Sequence, residues 1–129
     1  MKTLVLLLLA AVLLAGLPAD AKPSHRRCDF PWRQSTKAKT ATVNCWSRER
    51  GIDAERVLRI GRCESGSDLR DRYLADGHGG WSQQAMAYWP ARAKQYGVAG
   101  ASVNDTWAHA RVATGMMAAG GWSHWTCQG

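Results

Sequence analysis

The stretch "LRIGRCESGSDLR", residues 58–70, decides how the rest of the chain is read. It closes a segment that reads as a helix from about Asp53 to Glu64, with Asp53 a good N-cap and Gly66 a good stop. At about 100° per residue, Ala54, Val57, Leu58, Ile60 and Gly61 gather on one face, and Glu55, Arg59 and Arg62 lie opposite. Glu64 comes one turn after Ile60, near the middle of the apolar stripe, while Cys63 points to a flank. A carboxylate there meets reduced solvation and the negative end of the helix dipole, and both disfavour its charged form. A general acid working near neutral pH needs that condition. Two plainer fates compete on spacing alone: an ion pair with an arginine, or a frayed end that turns the side chain to water.

Upstream, Met1–Lys2 precedes the uncharged run "TLVLLLLAAVLLAGL", and Ala19-Asp20-Ala21 supplies the small-x-small pattern of a cleavage site. Residues 1–21 therefore read as a signal peptide cut after Ala21. The apolar run is shorter than the ~20 residues that span a bilayer, so no stable membrane insertion is expected after cleavage. Residues 22–44 are basic and poor in branched aliphatics, and read as an extended arm or loop. Residues 45–129 are enough for one small domain, secreted or held at a cell wall.

All four cysteines (Cys28, Cys45, Cys63, Cys127) follow the signal segment, and an even count in a small exported chain argues for two disulfides. Three connectivities are open, and sequential pairing, Cys28–Cys45 and Cys63–Cys127, is the one expected. The second closes a loop of roughly 65 residues, worth about 4 kcal/mol in the chain-entropy model. Zinc is the rival use, but neither CxxC nor HExxH spacing occurs around His78, His109 and His124, and no metal or other cofactor is expected.

Downstream, Gly77, Gly79 and Gly80 make a loop that lets backbone approach a ligand. Ser82 reads as the cap of a short helix through Trp89, Pro90 as the first turn of another stopped by Gly97, and Asn104 or Asp105 as the cap of a last one. Strand signals are weak, so the fold is mainly α, a small domain stapled by disulfides. The net charge of +7 suits anionic polymers, and no block reads as a nucleic-acid motif. Seven tryptophans can supply flat faces for sugar rings, although core is the better expectation for each except Trp81 in the glycine loop.

Taken in order, "RCESG" on a helix, "GGWSQ", "YWPARAKQYG", "DTWAHA" and the closing "GWSHWTC" resemble the secreted bacterial lytic transglycosylases, with the resuscitation-promoting factors as neighbours. The resemblance covers roughly residues 52–127. It implies a lysozyme-like helical domain that binds peptidoglycan glycan strands as a monomer. The bond cut would be the β-1,4 link between N-acetylmuramic acid and N-acetylglucosamine. Glu64 matches the family's single catalytic acid, Gln83 the glutamine of its Gly-Leu-Phe-Gln motif, and Cys63 with Cys127 its disulfide beside the catalytic helix. Trp81, Trp89 and Asp76 complete the expected substrate-binding set, with Asp76 the candidate to activate water if hydrolysis competes with anhydro ring formation. The chain departs from the pattern twice: Ser82 stands where phenylalanine is usual, and Met116 or Met117 where the last helix often carries a tyrosine. A lysozyme-type hydrolase and a non-catalytic peptidoglycan-binding module are the alternatives. A cationic membrane-active protein is a third, disfavoured by the lack of a basic amphipathic helix.

Overall fold

The structure, a computed structural model, describes residues 28–29, 35–71 and 76–128. The expected signal peptide and residues 22–27 and 30–34 of the basic arm lie outside the described residues. Helix α1 spans Thr36–Arg50, so residues 36–44 are helical and not an extended arm. Ser35 caps it by accepting the Ala38 N–H at 3.2 Å. Gly51, in the left-handed conformation at φ 65°, ends it.

The inward face of α1 carries Ala38, Thr42 and Trp46 beside Lys39, Val43 and Ser47. The spacing is that of a helix, but lysine, threonine and serine occupy half of the stripe, which hides it from an apolar count. Two of those buried polar groups, Lys39 and Thr42, find hydrogen-bond partners. Lys39 Nζ donates to the Leu69 carbonyl and to Asp71 Oδ2, both at 2.7 Å, and the Thr42 hydroxyl donates to the Ala38 carbonyl at 2.9 Å. Burial raises the pKa of the Asp71 carboxyl, against the hydrogen bond and charge of Lys39.

Helix α2, Ala54–Ser65, follows the expected pattern. Asp53 accepts the Glu55 N–H at 3.0 Å, and Val57, Leu58, Ile60 and Gly61 are buried. The disulfides are Cys28–Cys45 and Cys63–Cys127. Helix α4, Thr106–Ala118, packs most extensively on α1. From α4 Arg111 pairs with Asp29 at 3.6 Å, and across the seam Arg50 donates to the Arg111 carbonyl at 2.7 Å. Both guanidinium groups lie against the Trp46 ring, 4.6 and 5.6 Å from its centre.

Between α2 and α4 the expected short helix from Ser82 to Trp89 does not form. Strands β1 (His78–Gly79) and β2 (Gln84–Ala85) pair antiparallel instead, with His78 opposite Ala85 and Gly79 opposite Gln84. The Gln83 N–H closes the turn onto the Gly80 carbonyl at 3.1 Å. Gly80 has φ 71°, and a Cβ there would stand 2.2 Å from His109 Nδ1. A side chain is excluded twice over, and the glycine brings backbone against the protein's own histidine, not against a ligand. Helix α3, Trp89–Gln95, has Pro90 in its first turn. A single 3-10 turn, Gly121–His124, precedes the C-terminal tail.

Candidate functional site

Helix α2 presents the centre of the site. Gly61 leaves a notch in its buried face, and the Trp81 ring fills it: a Cβ at Gly61 would lie 2.7 Å from Trp81 Cε3. Trp81 is 0% exposed, so it anchors the hairpin turn to α2 and cannot offer a face to sugar. That corrects its expected place in the substrate-binding set. Trp89 is corrected likewise. It is buried, donates its Nε1–H to the Ala101 carbonyl at 2.8 Å, and stacks on His109 at 5.7 Å.

Beneath the turn, His109 holds Ser82. Its Nδ1 lies 2.7 Å from the Val103 carbonyl, and its Nε2 meets the Ser82 backbone N–H at 3.2 Å and the Ser82 hydroxyl at 2.6 Å. Those partners assign the proton to Nδ1 and leave Nε2 an acceptor. Burial lowers the His109 pKa to about 4, opposed by the Val103 hydrogen bond and helped by the Lys39 charge. The Ser82 hydroxyl thus has a buried partner, in a place where an apolar side chain would leave His109 Nε2 without it. The pair is wholly buried, so it is a brace and not a nucleophile.

The tail is tied back to both elements. Trp125 Nε1 donates to the Ser82 carbonyl at 2.7 Å. Two residues on, the Cys127 N–H donates to Glu64 Oε1 at 3.2 Å, beside the Cys63–Cys127 disulfide. Arg56 stacks on Trp122 at 4.1 Å and reaches the Gln128 carbonyl. Glu64 is thus half-buried at the end of α2, and no described lysine, arginine or histidine forms an ion pair with it.

Hairpin, α3 and tail border a cleft of about 170 Å³ lined by His78, Gln83, Gln84, Ala85, Tyr88, Arg92, His124 and Trp125. It continues past Arg92 and His124 into a hollow lined by Gln95, Tyr96, Met116, Ala119 and Gly121. Gln83 lines the cleft as expected; its Nε2 donates to the Gly80 carbonyl at 2.8 Å, and its backbone takes φ 54°. Asp76 sits outside the lining, exposed, with its Oδ1 3.2 Å from His78 Nδ1. Glu64 is not a lining residue of this cleft; the tail between Trp125 and Cys127 links the two. Met116 borders the hollow where a hydroxyl is expected, and the Tyr96 ring, packed over Gly115, shares that hollow.

Tyr88 and Arg92 escape the sequence reading although a signal was present. Positions 88, 92 and 95–96 recur at helical spacing beside buried Trp89 and Ala93. Tyr88 is 62% exposed, and the Arg92 guanidinium lies 5.3 Å from its ring centre. Arg92 also donates to Gln84 Oε1 at 2.7 Å. Burial lowers the Arg92 pKa, with Tyr88 and Tyr96 acting the other way.

Among the described residues no group of three His, Cys, Asp or Glu side chains is placed to hold a metal, and no helix is long and apolar enough to cross a membrane. No protein-family model matches the chain, and no curated protein or solved structure matches it at a significant level.

Proposed function

We propose that the chain is an exported peptidoglycan-cleaving enzyme of the lytic transglycosylase type, with Glu64 as its acid and base. The observation that carries this reading is the Glu64 carboxylate itself. It is half-buried, held by one backbone N–H, given no described cation, and joined through the tail to a polar cleft containing Gln83. The two disulfides support an oxidising compartment outside the cytosol.

A two-carboxylate glycosidase needs a partner about 5–9.5 Å from the acid. The described acids that follow α2 have other engagements: Asp68 with Arg70, Asp71 with Lys39, Asp76 with His78, and Asp105 with the Ser102 backbone N–H. Single-acid chemistry fits that arrangement. Protonated Glu64 gives its proton to the glycosidic oxygen as the bond to C1 breaks, and the substrate's N-acetyl oxygen stabilises the cationic carbon. The Glu64 carboxylate then takes the proton of the muramoyl 6-hydroxyl, whose oxygen closes on C1 as a 1,6-anhydro ring. The sugar platform in this reading is exposed Tyr88 at the cleft mouth, in place of Trp81 and Trp89.

Mass spectrometry of muropeptides released from purified sacculi tests the proposal. Anhydromuramoyl products are expected, with release falling about 100-fold or more in Glu64→Gln. Reducing ends would make the protein a hydrolase and bring Asp76 into the mechanism. A second reading, a glycan-binding module without catalysis, is favoured by the absence of Glu64 from the cleft lining. Sacculus binding without release, unchanged in Glu64→Gln, would establish it.

A further inference from the structure

The cleft has a chemical bias that the cleavage reaction does not use. Gln84 is 1% exposed and lines it. Its Oε1 accepts from Arg92, which fixes the orientation of the amide and leaves Nε2 a buried donor with no acceptor among the described residues. Arg92 is itself half-buried, and its partners are a neutral amide oxygen and the face of Tyr88. Among the described residues no Asp or Glu lines the cleft or the hollow beyond it, while His78 and His124 add two imidazoles. Other buried cations are arranged differently: Lys39 faces Asp71 and Arg111 faces Asp29.

We propose that Gln84 and Arg92 form a carboxylate-binding subsite in this cleft, taking the acidic group that a muramoyl residue or its stem peptide carries. The choice of a wall glycan rests on the function proposed above; the carboxylate chemistry does not. A planar carboxylate offers two oxygens, one for the amide N–H of Gln84 and one for the remaining N–H groups of Arg92, and the second bond is charge-assisted. A neutral acetamido carbonyl satisfies one donor at most and leaves the guanidinium without a counter-charge.

The test is binding to the mature Glu64→Gln protein, which keeps strands intact. Three ligands of equal length are compared: peptide-free glycan with free lactyl carboxylates, peptide-bearing glycan, and a neutral N-acetylglucosamine oligomer. Calorimetry gives affinities, and the NMR resonance of the Gln84 side-chain amide reports on the site. At least one acidic strand is expected to bind tenfold or more tightly than the neutral oligomer, and which one does so identifies the carboxylate. Arg92→Gln should reduce that strand to the neutral level. Gln84→Glu, which gives Arg92 an internal carboxylate, should do the same. Lys94→Gln removes an equal charge from an exposed position outside the lining and should leave the preference intact. Equal affinities for acidic and neutral strands, or a preference lost equally in Lys94→Gln, overturn the subsite even if sacculi are cleaved. If no glycan binds, D-lactate decides: a moving Gln84 resonance keeps the carboxylate site and removes the glycan, and a still one removes both.

Discussion

In the scaffold seam around α1 and α4, Lys39 of α1 meets Asp71 at 2.7 Å, and Arg111 of α4 meets Asp29, ahead of α1, at 3.6 Å. In the cleft Arg92 meets a neutral amide oxygen at 2.7 Å and an exposed tyrosine ring. All three cations are removed from water to some degree, but among the described residues a carboxylate answers the charge of the first two and not of the third. A buried charge is tolerated when it is paired, and removing one partner leaves the other uncompensated. The seam therefore uses charge for cohesion. The cleft holds charge for something that arrives from outside.

The largest expected effect tests that difference directly. Lys39→Met strips Asp71 of its partner and leaves the Leu69 carbonyl without its donor, so it should cost about 3 kcal/mol in urea unfolding. Arg92→Gln abandons no carboxylate, and its cost should stay below about 1 kcal/mol. Similar costs for the two would break the comparison. Arg92 would then be a structural residue, and the cleft would lose its functional reading.

The same contrast explains what the sequence made legible. Helix α2 was readable because its stripe is Val57, Leu58, Ile60 and Gly61, with Asp53 before it and Gly66 after. Both disulfides were readable from count and order. Helix α1 was not, because Lys39, Thr42 and Ser47 point inward, and Lys39 is reconciled with burial by a partner 32 residues away. The hairpin was missed for a related reason. Gly79, Gly80 and Ser82 look like loop or cap residues until a buried His109 fills the space that Gly80 leaves and claims the Ser82 hydroxyl. Of the site, Gln83 reached the cleft and Glu64 the partly buried end of α2. Trp81 and Trp89 went to the core because nothing in a local sequence distinguishes a sugar platform from a packing anchor.

His109 belongs to both regions, since it is buried beside the scaffold and braces the turn that carries Gln83. Its folded pKa, about 4, lies below the ordinary 6.5. Between those values the unfolded chain binds the proton and the folded one does not, so stability is full above about pH 6.5 and falls as pH drops towards 4. The gap is worth on the order of 3 kcal/mol. Urea midpoints measured from pH 7 to pH 4 on the protein and on His109→Asn should separate at the neutral end and converge at the acid end. The carboxylates that titrate in the same range cancel in that difference. Parallel curves would mean that His109 carries its proton without disturbing Ser82, and the brace would be ordinary packing.

The smallest effect concerns the notch that joins the two regions. Alanine is the better helix former at an interior position by about 1 kcal/mol, so Gly61→Ala should stabilise α2 if nothing else touched it. The added Cβ, however, would stand 2.7 and 2.8 Å from Trp81 and 2.9 Å from Leu69. Both neighbours are fully buried and have no open space to retreat into. Overpacking of that kind costs about 1–3 kcal/mol, so a net loss of about 1 kcal/mol is expected. In a Trp81→Leu background the clash is relieved and the propensity gain should reappear, reversing the sign of the same substitution. Trp81 stands two residues before Gln83, so a displaced ring also displaces the cleft wall. Gly61→Ala should therefore weaken glycan binding by more than its small stability cost implies. If binding and stability fall in proportion, the hairpin turn is simply part of the core. If binding falls alone, the fit of Trp81 into α2 is what sets the position of Gln83.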